Sequence, residues 1–305
     1  MDMKIVRVNV NKEIEKQESL SACIGFFDGL HKGHQELVNK ALAKKDYTPA
    51  LITFDPDPIA VLRNNPYVKH ITTLEDKIEI AKELGIEVFI ILESDKDMLG
   101  QSPDDFVNNI LVPLNIKHLV CGFDFRYGFR GAGSTDTLKE YPHLFSVDVV
   151  EEVDYQQEKI SSSRILRYLK EGRVDEAQWL LSRPYTIQGT IIAGNQKGRE
   201  IGFPTANLKA NPEYHEVKDG VYITKTFVDG KWYSSMTNVG HNLTFNTSEP
   251  LSIETYILDF NQDIYGKEVK LAFKKLLRPE LKFESVDQLV KQMRQDEQDT
   301  RNYFQ

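Results

Sequence analysis

The period of the hydrophobic pattern changes once along this chain, and that change constrains the fold more than any single motif. In the first half, apolar runs of strand length (ACIGFF, PALITF, VFIIL, HLVCGF and FSVDVV) alternate with stretches of helical spacing. HQELVNKALAKK brings Leu37, Val38, Ala41 and Leu42 to one face, the three-and-four spacing of an amphipathic helix. TLEDKIEIAKELG has the same spacing and stops at Gly85, a residue suited to a helix C-terminus. SPDDFVNNIL opens with Ser102 as N-cap, Pro103 at the first helical position and acids in the first turn. This alternation predicts an α/β domain, a mostly parallel sheet with helices on both faces. Such sheets bind ligands beyond the carboxyl ends of their strands.

From about Tyr185 the helical spacing disappears. YTIQGTIIAG, GVYITKTFVDG, KWYSSMTNVG, LSIETYILDF and KEVKLAFKKLL follow one another, with Asp-Gly or Asn-Gln in some of the turns. This predicts an all-β domain, a small barrel. One helix closes the chain: Ser285 and Gln288 are spaced as a capping box, and Val286, Leu289, Val290 and Met293 form one apolar stripe. Between the halves, SSSRILRYLKEGRVDEAQWLLSRP reads as two short helices ending at Pro184. The boundary is therefore placed at 183, giving a first domain over 1–183 that includes the helical linker and a second over 184–305. The length of 305 residues agrees with two domains of roughly 150 residues each.

The formal net charge is −8, with no block of lysine or arginine. This argues against a nucleic-acid partner and leaves room for a locally positive pocket that binds small anions. The two cysteines, Cys23 and Cys121, sit inside apolar runs and read as buried thiols rather than ligands or a disulfide. The N-terminal residues lack the apolar core of a signal peptide, and no apolar run approaches the roughly 18 residues of a membrane span. A cytoplasmic enzyme without membrane contact is expected.

Residues 25–34 read GFFDGLHKGH and lie between the first buried strand and the first helix. Zinc would need a further ligand beyond His31 and His34; Asp28 could serve, but the next histidine, His70, is remote in sequence. A serine hydrolase would need a nucleophile elbow, which is absent. Phosphate chemistry fits the turn better. Gly25 and Gly29 permit close backbone approach, free N–H groups at the helix start favour an anion, and two imidazoles one helical turn apart can donate to phosphate oxygens as charge develops. A surface turn with incidental histidines is the plain alternative.

The second half has its own constellation, GTIIAGNQKGREIGFPTANL over 189–208. A glycine-rich turn with Lys197 and Arg199 could cradle phosphates through backbone N–H groups; it is not a Walker A motif, because no G-K-[ST] closes it. Thr205 and Asn207 offer hard oxygens suited to magnesium, and their spacing of two points both to one side of an extended chain. Glu254, between Ile253 and Thr255 in a strand-like run, reads on its own as a solvent-face carboxylate.

The residues GFFDGLHKGH resemble the G-x-F-D-x-x-H-x-G-H motif of the H-x-G-H nucleotidyltransferases, in the form of the FMN adenylyltransferase branch. TFDPDP at 53–58, GFDFRYG at 122–128 and ISSSRI at 160–165 resemble that branch's further segments. GRxxGFPTANL closely resembles the riboflavin kinase motif, with DGVYI, NVGHNLTF, IETYILDF, DIYG and LRPELKF following in order. Both domains and their order are similar to the bifunctional bacterial riboflavin kinase/FAD synthetases. The resemblance implies a Rossmann-like nucleotidyltransferase domain followed by a Greek-key riboflavin kinase barrel. It implies phosphorylation of riboflavin to FMN and adenylylation of FMN to FAD, with ATP as co-substrate, Mg2+ as cofactor, and riboflavin, FMN, FAD and ATP as the bound partners. By this resemblance His31 and His34 stabilise ATP phosphates, Asp124 lies near flavin or nucleotide, and Ser162, Ser163 and Arg164 lie near ATP phosphates. Gly25, Phe26, Phe27, Asp28 and Gly29 belong to the same binding loop. In the barrel, Gly198, Arg199, Gly202 and Pro204 frame the nucleotide, Thr205 and Asn207 hold Mg-ATP, Glu254 is the general base and Arg278 contacts nucleotide or flavin. Three positions depart from the family pattern: Asp57 stands for a histidine, Leu166 for an arginine and Leu243 for a proline. The first two motivate an alternative, a riboflavin kinase whose first domain only binds flavin nucleotide or acts as a flavin sensor.

Overall fold

The four central strands of the first half are too apolar to leave either face in water, and the chain covers both. The computed structural model describes residues 2–194, 197–241 and 251–305, without the side chains of Lys197 and Arg199; Leu243 lies outside the described residues. The chain divides into two compact units, Met1–Ser162 and Ser163–Gln305.

In the first unit, β1 (Lys4–Val8), β2 (Leu20–Ile24), β3 (Thr48–Asp55), β4 (Val88–Glu93), β5 (Ile116–Gly122) and β6 (Ser146–Val150) form one parallel sheet. Its order is β1-β4-β3-β2-β5-β6. Alternate residues of each strand serve opposite faces. Ala22, Ile52, Ile90 and Leu119 pack against Phe106, Ile110 and Leu111 on one side. Cys23, Leu51, Phe89 and Val120 pack against Leu37, Val38, Ala41 and Ala81 on the other. The latter come from α1 (Lys32–Ala43) and α2 (Leu74–Glu83). Each fully buried aliphatic or aromatic side chain contributes about 1.5–3 kcal/mol. Ser102 caps its helix as expected, accepting from the Asp105 N–H at 3.1 Å, and Gly85 ends α2 with φ +93°.

The chain runs from β2 outward through β3 and β4, then returns to place β5 on the other side of β2. The strand order therefore reverses between β2 and β5, at the crevice where open α/β sheets take ligands. The GFFDGLHKGH loop leaves β2 there, and Asp124 follows β5.

The second unit begins one residue into α3 (Ser162–Glu171), and α4 (Val174–Leu181) follows. A closed antiparallel barrel follows: β7 (Tyr185–Ile192), β8 (Ala206–Ala210), β9 (Gly220–Val228), β10 (Lys231–Gly240), β11 (Ser252–Ile257) and β12 (Glu268–Arg278), in the order β7-β8-β11-β10-β9-β12. The neighbours β12-β9-β10-β11 are a Greek key. Asp229 and Gly230, both at positive φ, close the β9–β10 hairpin as Asp-Gly predicts. The terminal helix is α5 (Val286–Tyr303).

Four details depart from expectation. From Ser163 onward the helices α3 and α4 group with the barrel: the Lys218 N–H donates to the Leu169 carbonyl at 3.0 Å, and a Cβ at Gly172 would meet Leu276 at 2.8 Å. Compactness thus divides the chain at the start of these helices. Strands β1 and β8 escaped prediction, because KIVRV is an edge strand buried on one face and ANLKA lacks β-branched residues. The Ser285 cap forms, but Gln288 reaches back to the Glu284 N–H at 3.2 Å instead of the cap residue. The apolar stripe of α5 is not core; Val286 is 60% exposed.

Candidate functional site

The first constellation begins where β2 ends. Phe27 and Leu30 take left-handed backbone angles and Gly29 has φ +79°, so the loop folds back tightly before α1. His31 caps α1, its Nδ1 accepting the His34 N–H at 3.3 Å. The two imidazole rings stack, centroids 3.7 Å apart and 14° from parallel, and Phe27 meets His34 edge-on at 5.2 Å. His31 is only 5% exposed. Gly33 makes this possible: a Cβ there would sit 3.2 Å from the His31 ring. The glycine of H-x-G-H is thus the space into which the first histidine settles.

Asp28 is engaged in structure rather than pointing at a metal. Its Oδ1 accepts from the Ile71 and Thr72 N–H groups at 2.9 and 3.2 Å, and the Gly29 N–H donates to Thr72 Oγ1 at 2.9 Å. The Ser162 hydroxyl donates to the Asp28 carbonyl at 3.0 Å. Phe26 is held by Thr53, whose hydroxyl donates to its carbonyl at 3.0 Å, and the Gly25 N–H continues the ladder to the Ile52 carbonyl at 3.1 Å. Beyond β5, exposed Asp124 pairs with Lys159 at 3.2 Å, and Lys159 Nζ lies 4.5 Å from the Phe123 ring centre. Within α3, Ser163 is exposed and buried Arg164 donates to the Tyr168 hydroxyl at 2.9 and 3.0 Å. No group of three or more His, Cys, Asp or Glu that could hold a metal exists among the described residues. Both thiols are buried as expected, and burial pushes that of Cys121 up to about 12.

The second constellation surrounds a cavity of about 780 Å3 in the barrel unit. Glu254 and Thr205 are among its lining residues: the Thr205 hydroxyl reaches Glu254 Oε2 at 3.4 Å and the Ser252 hydroxyl Oε1 at 3.5 Å. Strand register fixes this meeting, because Glu254 sits opposite Asn207 on β8 and Asn238 on β10. Close approach depends on glycine at two places. A Cβ at Gly198 would fall 2.3 Å from the Phe203 carbonyl oxygen, and one at Gly194 2.0 Å from Asn207 Nδ2. Gly202 takes φ +85°, and Pro204 is exposed just before Thr205. The Arg199 side chain lies outside the described residues. The apolar wall is formed by Leu281, Phe283, Leu289 and Met293. Arg278 lines the cavity, but its fork is engaged by Asp296 of α5, with bonds of 2.8–3.1 Å.

The chain was compared with known proteins. An FAD synthetase family model matches residues 13–164 and a riboflavin kinase family model residues 181–304. A bifunctional riboflavin kinase/FMN adenylyltransferase of Listeria monocytogenes is 43% identical over 92% of this chain and 91% of its own length. The protein of that name from Bacillus subtilis is 37% identical over 99% and 98%.

This chain belongs to the bifunctional riboflavin kinase/FMN adenylyltransferase family.

A crystal structure from Streptococcus pneumoniae, described as a macrolide-efflux protein, superposes with a TM-score of 0.89 at 35% identity, covering 98% of this chain and 99% of that one. Its fold is that of this chain. Among the described residues here, no helix is long and apolar enough to cross a membrane.

Of the family's motif residues, those of GFFDGLHKGH lie in the loop after β2 and the start of α1, and Gly198, Thr205, Glu254 and Arg278 line the cavity of the second unit. Reading the sequence did not single out Asp296 at the barrel cavity or Lys77 beside the H-x-G-H loop, carried Asn238 and Phe283 only inside longer segments, and set His70 aside as remote. A buried acid on the inner side of an amphipathic helix was the available signal for Asp296. A third cluster has hydrolase-like spacing but cannot act as one. Ser21 Oγ lies 2.8 Å from His118 Nδ1, and His118 Nε2 lies 3.2 Å from Asp148, yet Ser21 is fully buried and donates to the Ala41 carbonyl.

Proposed function

We propose that the chain phosphorylates riboflavin at the barrel cavity and adenylylates the product at the H-x-G-H loop. The observation that carries this is the cavity itself. It is lined both by a carboxylate and hydroxyl in contact, Glu254 and Thr205, and by the apolar and aromatic side chains of Leu281, Phe283, Leu289 and Met293, which fits a molecule with a flat apolar ring and a polyol tail. In the kinase step the ribityl 5′-oxygen attacks the γ-phosphorus of ATP, the bond to the β-phosphate bridging oxygen breaks, and ADP leaves. Glu254 takes the hydroxyl proton. Thr205 and Asn207 fit a magnesium ion by donor chemistry, neutral hard oxygens beside a carboxylate, and the ion would neutralise charge on the ATP phosphates. Arg278 acts by holding α5 through Asp296, so that Leu289 and Met293 stay on the cavity wall.

In the adenylylation step a phosphate oxygen of FMN attacks the α-phosphorus of a second ATP, and pyrophosphate leaves. The nucleophile is already anionic, so the demand is for positioning and charge stabilisation. His31 and His34 supply donors there, with the N–H groups at the start of α1. Asp28 shapes the loop, and Asp124 with Lys159 borders the flavin side. The functional boundary is placed at 183/184, which the two family matches support by ending at 164 and beginning at 181. The compartment is read as cytoplasmic, in keeping with two reduced, buried cysteines.

Incubation of the protein with riboflavin, ATP and magnesium, followed by separation of the flavins, tests the whole reading. FMN followed by FAD is expected. FMN alone, with none converted when FMN is supplied, would leave a kinase carrying a binding-only first unit.

A further inference from the structure

Position 57 places a carboxylate beside a loop that, on the adenylylation reading above, receives a triphosphate and a flavin phosphate. An uncompensated carboxylate there would repel both. The structure gives it a partner. Asp57 Oδ2 lies 4.0 Å from His70 Nδ1, with the two side chains 8% and 16% exposed. The other oxygen of Asp57 serves local structure, accepting the Ile59 N–H at 2.7 Å and capping the helix Pro58–Leu62.

His70 is tied to the H-x-G-H loop although it is remote in sequence. Its ring packs on Phe26, centroids 5.3 Å apart. The two residues after it, Ile71 and Thr72, donate their N–H groups to Asp28. Lys77 Nζ stands 3.7 Å from the centre of the same Phe26 ring. The segment therefore brings an imidazole and an ammonium to the loop that holds His31 and His34.

We propose that Asp57 and His70 form a carboxylate–imidazole pair that serves adenylyl transfer, Asp57 as a positioning residue and His70 as a donor to the polyphosphate of ATP. A carboxylate behind one ring nitrogen fixes the orientation of an imidazole and leaves the other nitrogen to face a ligand. The donating form is the imidazolium, with its Nδ1–H toward Asp57 and its Nε2–H toward the polyphosphate. The 4.0 Å separation is longer than a hydrogen bond, and such contacts tighten when the ligand is in place.

The test uses the full chain with supplied FMN, and a thermal melt as the control for folding of the first unit. His70→Ala should raise KM for ATP in adenylylation about 10- to 100-fold, the worth of one charge-assisted hydrogen bond. KM for FMN should stay within about twofold, a split that general loosening of the loop would not produce. His70→Gln, which keeps a donor, should fall between Ala and the parent, and carries the test if His70→Ala does not fold. Asp57→Asn keeps the helix cap but removes the charge behind the ring; combined with His70→Ala it should add nothing. Unchanged KM for ATP in both His70 variants, or equal increases for ATP and FMN, would overturn the pair. A parent protein that makes no FAD from supplied FMN would overturn the adenylylation reading and the pair together. An active parent matched by its His70 variants overturns the pair alone.

Discussion

Gly33 shows how one missing methyl can hold a site together. An added Cβ would stand 3.2 Å from both Nδ1 and Cε1 of His31, closer than ordinary contact, so the ring must yield by a few tenths of an ångström. Gly33→Ala should lower the rate of FAD formation roughly 10- to 100-fold, because small misplacements of a positioning group are costly. The melting temperature should barely move, since alanine suits a helix better than glycine. Steady-state rates on supplied FMN, beside a thermal melt, would decide it. His118 makes a different prediction. It is fully buried between Ser21 and Asp148, and burial lowers its pKa below the usual 6.5 against the opposing pull of Asp148. The unfolded chain then binds the proton more readily than the folded one. Stability should be full above about pH 6.5 and decline as pH falls from there toward the folded value. His118→Gln should flatten that slope in melts across pH 5–8, while melting lower at pH 7; an unchanged slope would mean that His118 does not titrate on unfolding.

At the level of elements, α5 is fastened by one buried ion pair. Arg278 is 14% and Asp296 3% exposed, and Gln292 adds a bond to the same carboxylate at 2.9 Å. Removing one partner of such a pair typically costs about 3–5 kcal/mol; the low end applies here, because the freed guanidinium borders an open cavity. Asp296→Ala should therefore lower the melting temperature and raise KM for riboflavin, with adenylylation of supplied FMN unaffected. Arg278→Lys should not substitute, since an ammonium cannot match the fork. This helix also marks what the sequence could reveal. Its stripe of Val286, Leu289 and Met293 is visible from spacing, but spacing cannot say whether a stripe meets a core or a cavity. The parallel strands were legible because burial on both faces makes them continuously apolar. Edge strand β1 was not, because one of its faces meets water. Asp28 was legible as a motif residue, while its anchoring of Ile71 and Thr72 needed tertiary contacts that no local pattern carries.

At the level of the whole molecule, two chemistries reside in two compact units, and they should fail separately. Glu254→Gln removes the proton acceptor while keeping the shape, so FMN formation should fall about 10²- to 10⁴-fold. FAD formation from supplied FMN should be unchanged. His31→Ala should do the reverse. Loss of both activities in either variant would sink the two-site reading. The stronger measurement mixes the two variant proteins with riboflavin, ATP and magnesium. Each supplies the step the other lacks, so FAD should appear after a lag in which free FMN builds up. That lag should shorten as the protein carrying His31→Ala, the intact kinase, is raised. A mixture that accumulates no FAD, although each variant performs its own half-reaction, would mean that FMN does not leave the barrel cavity for solution. The apolar wall formed by Leu281, Phe283, Leu289 and Met293 would then hold product as firmly as substrate, and transfer would depend on both sites being intact in one chain.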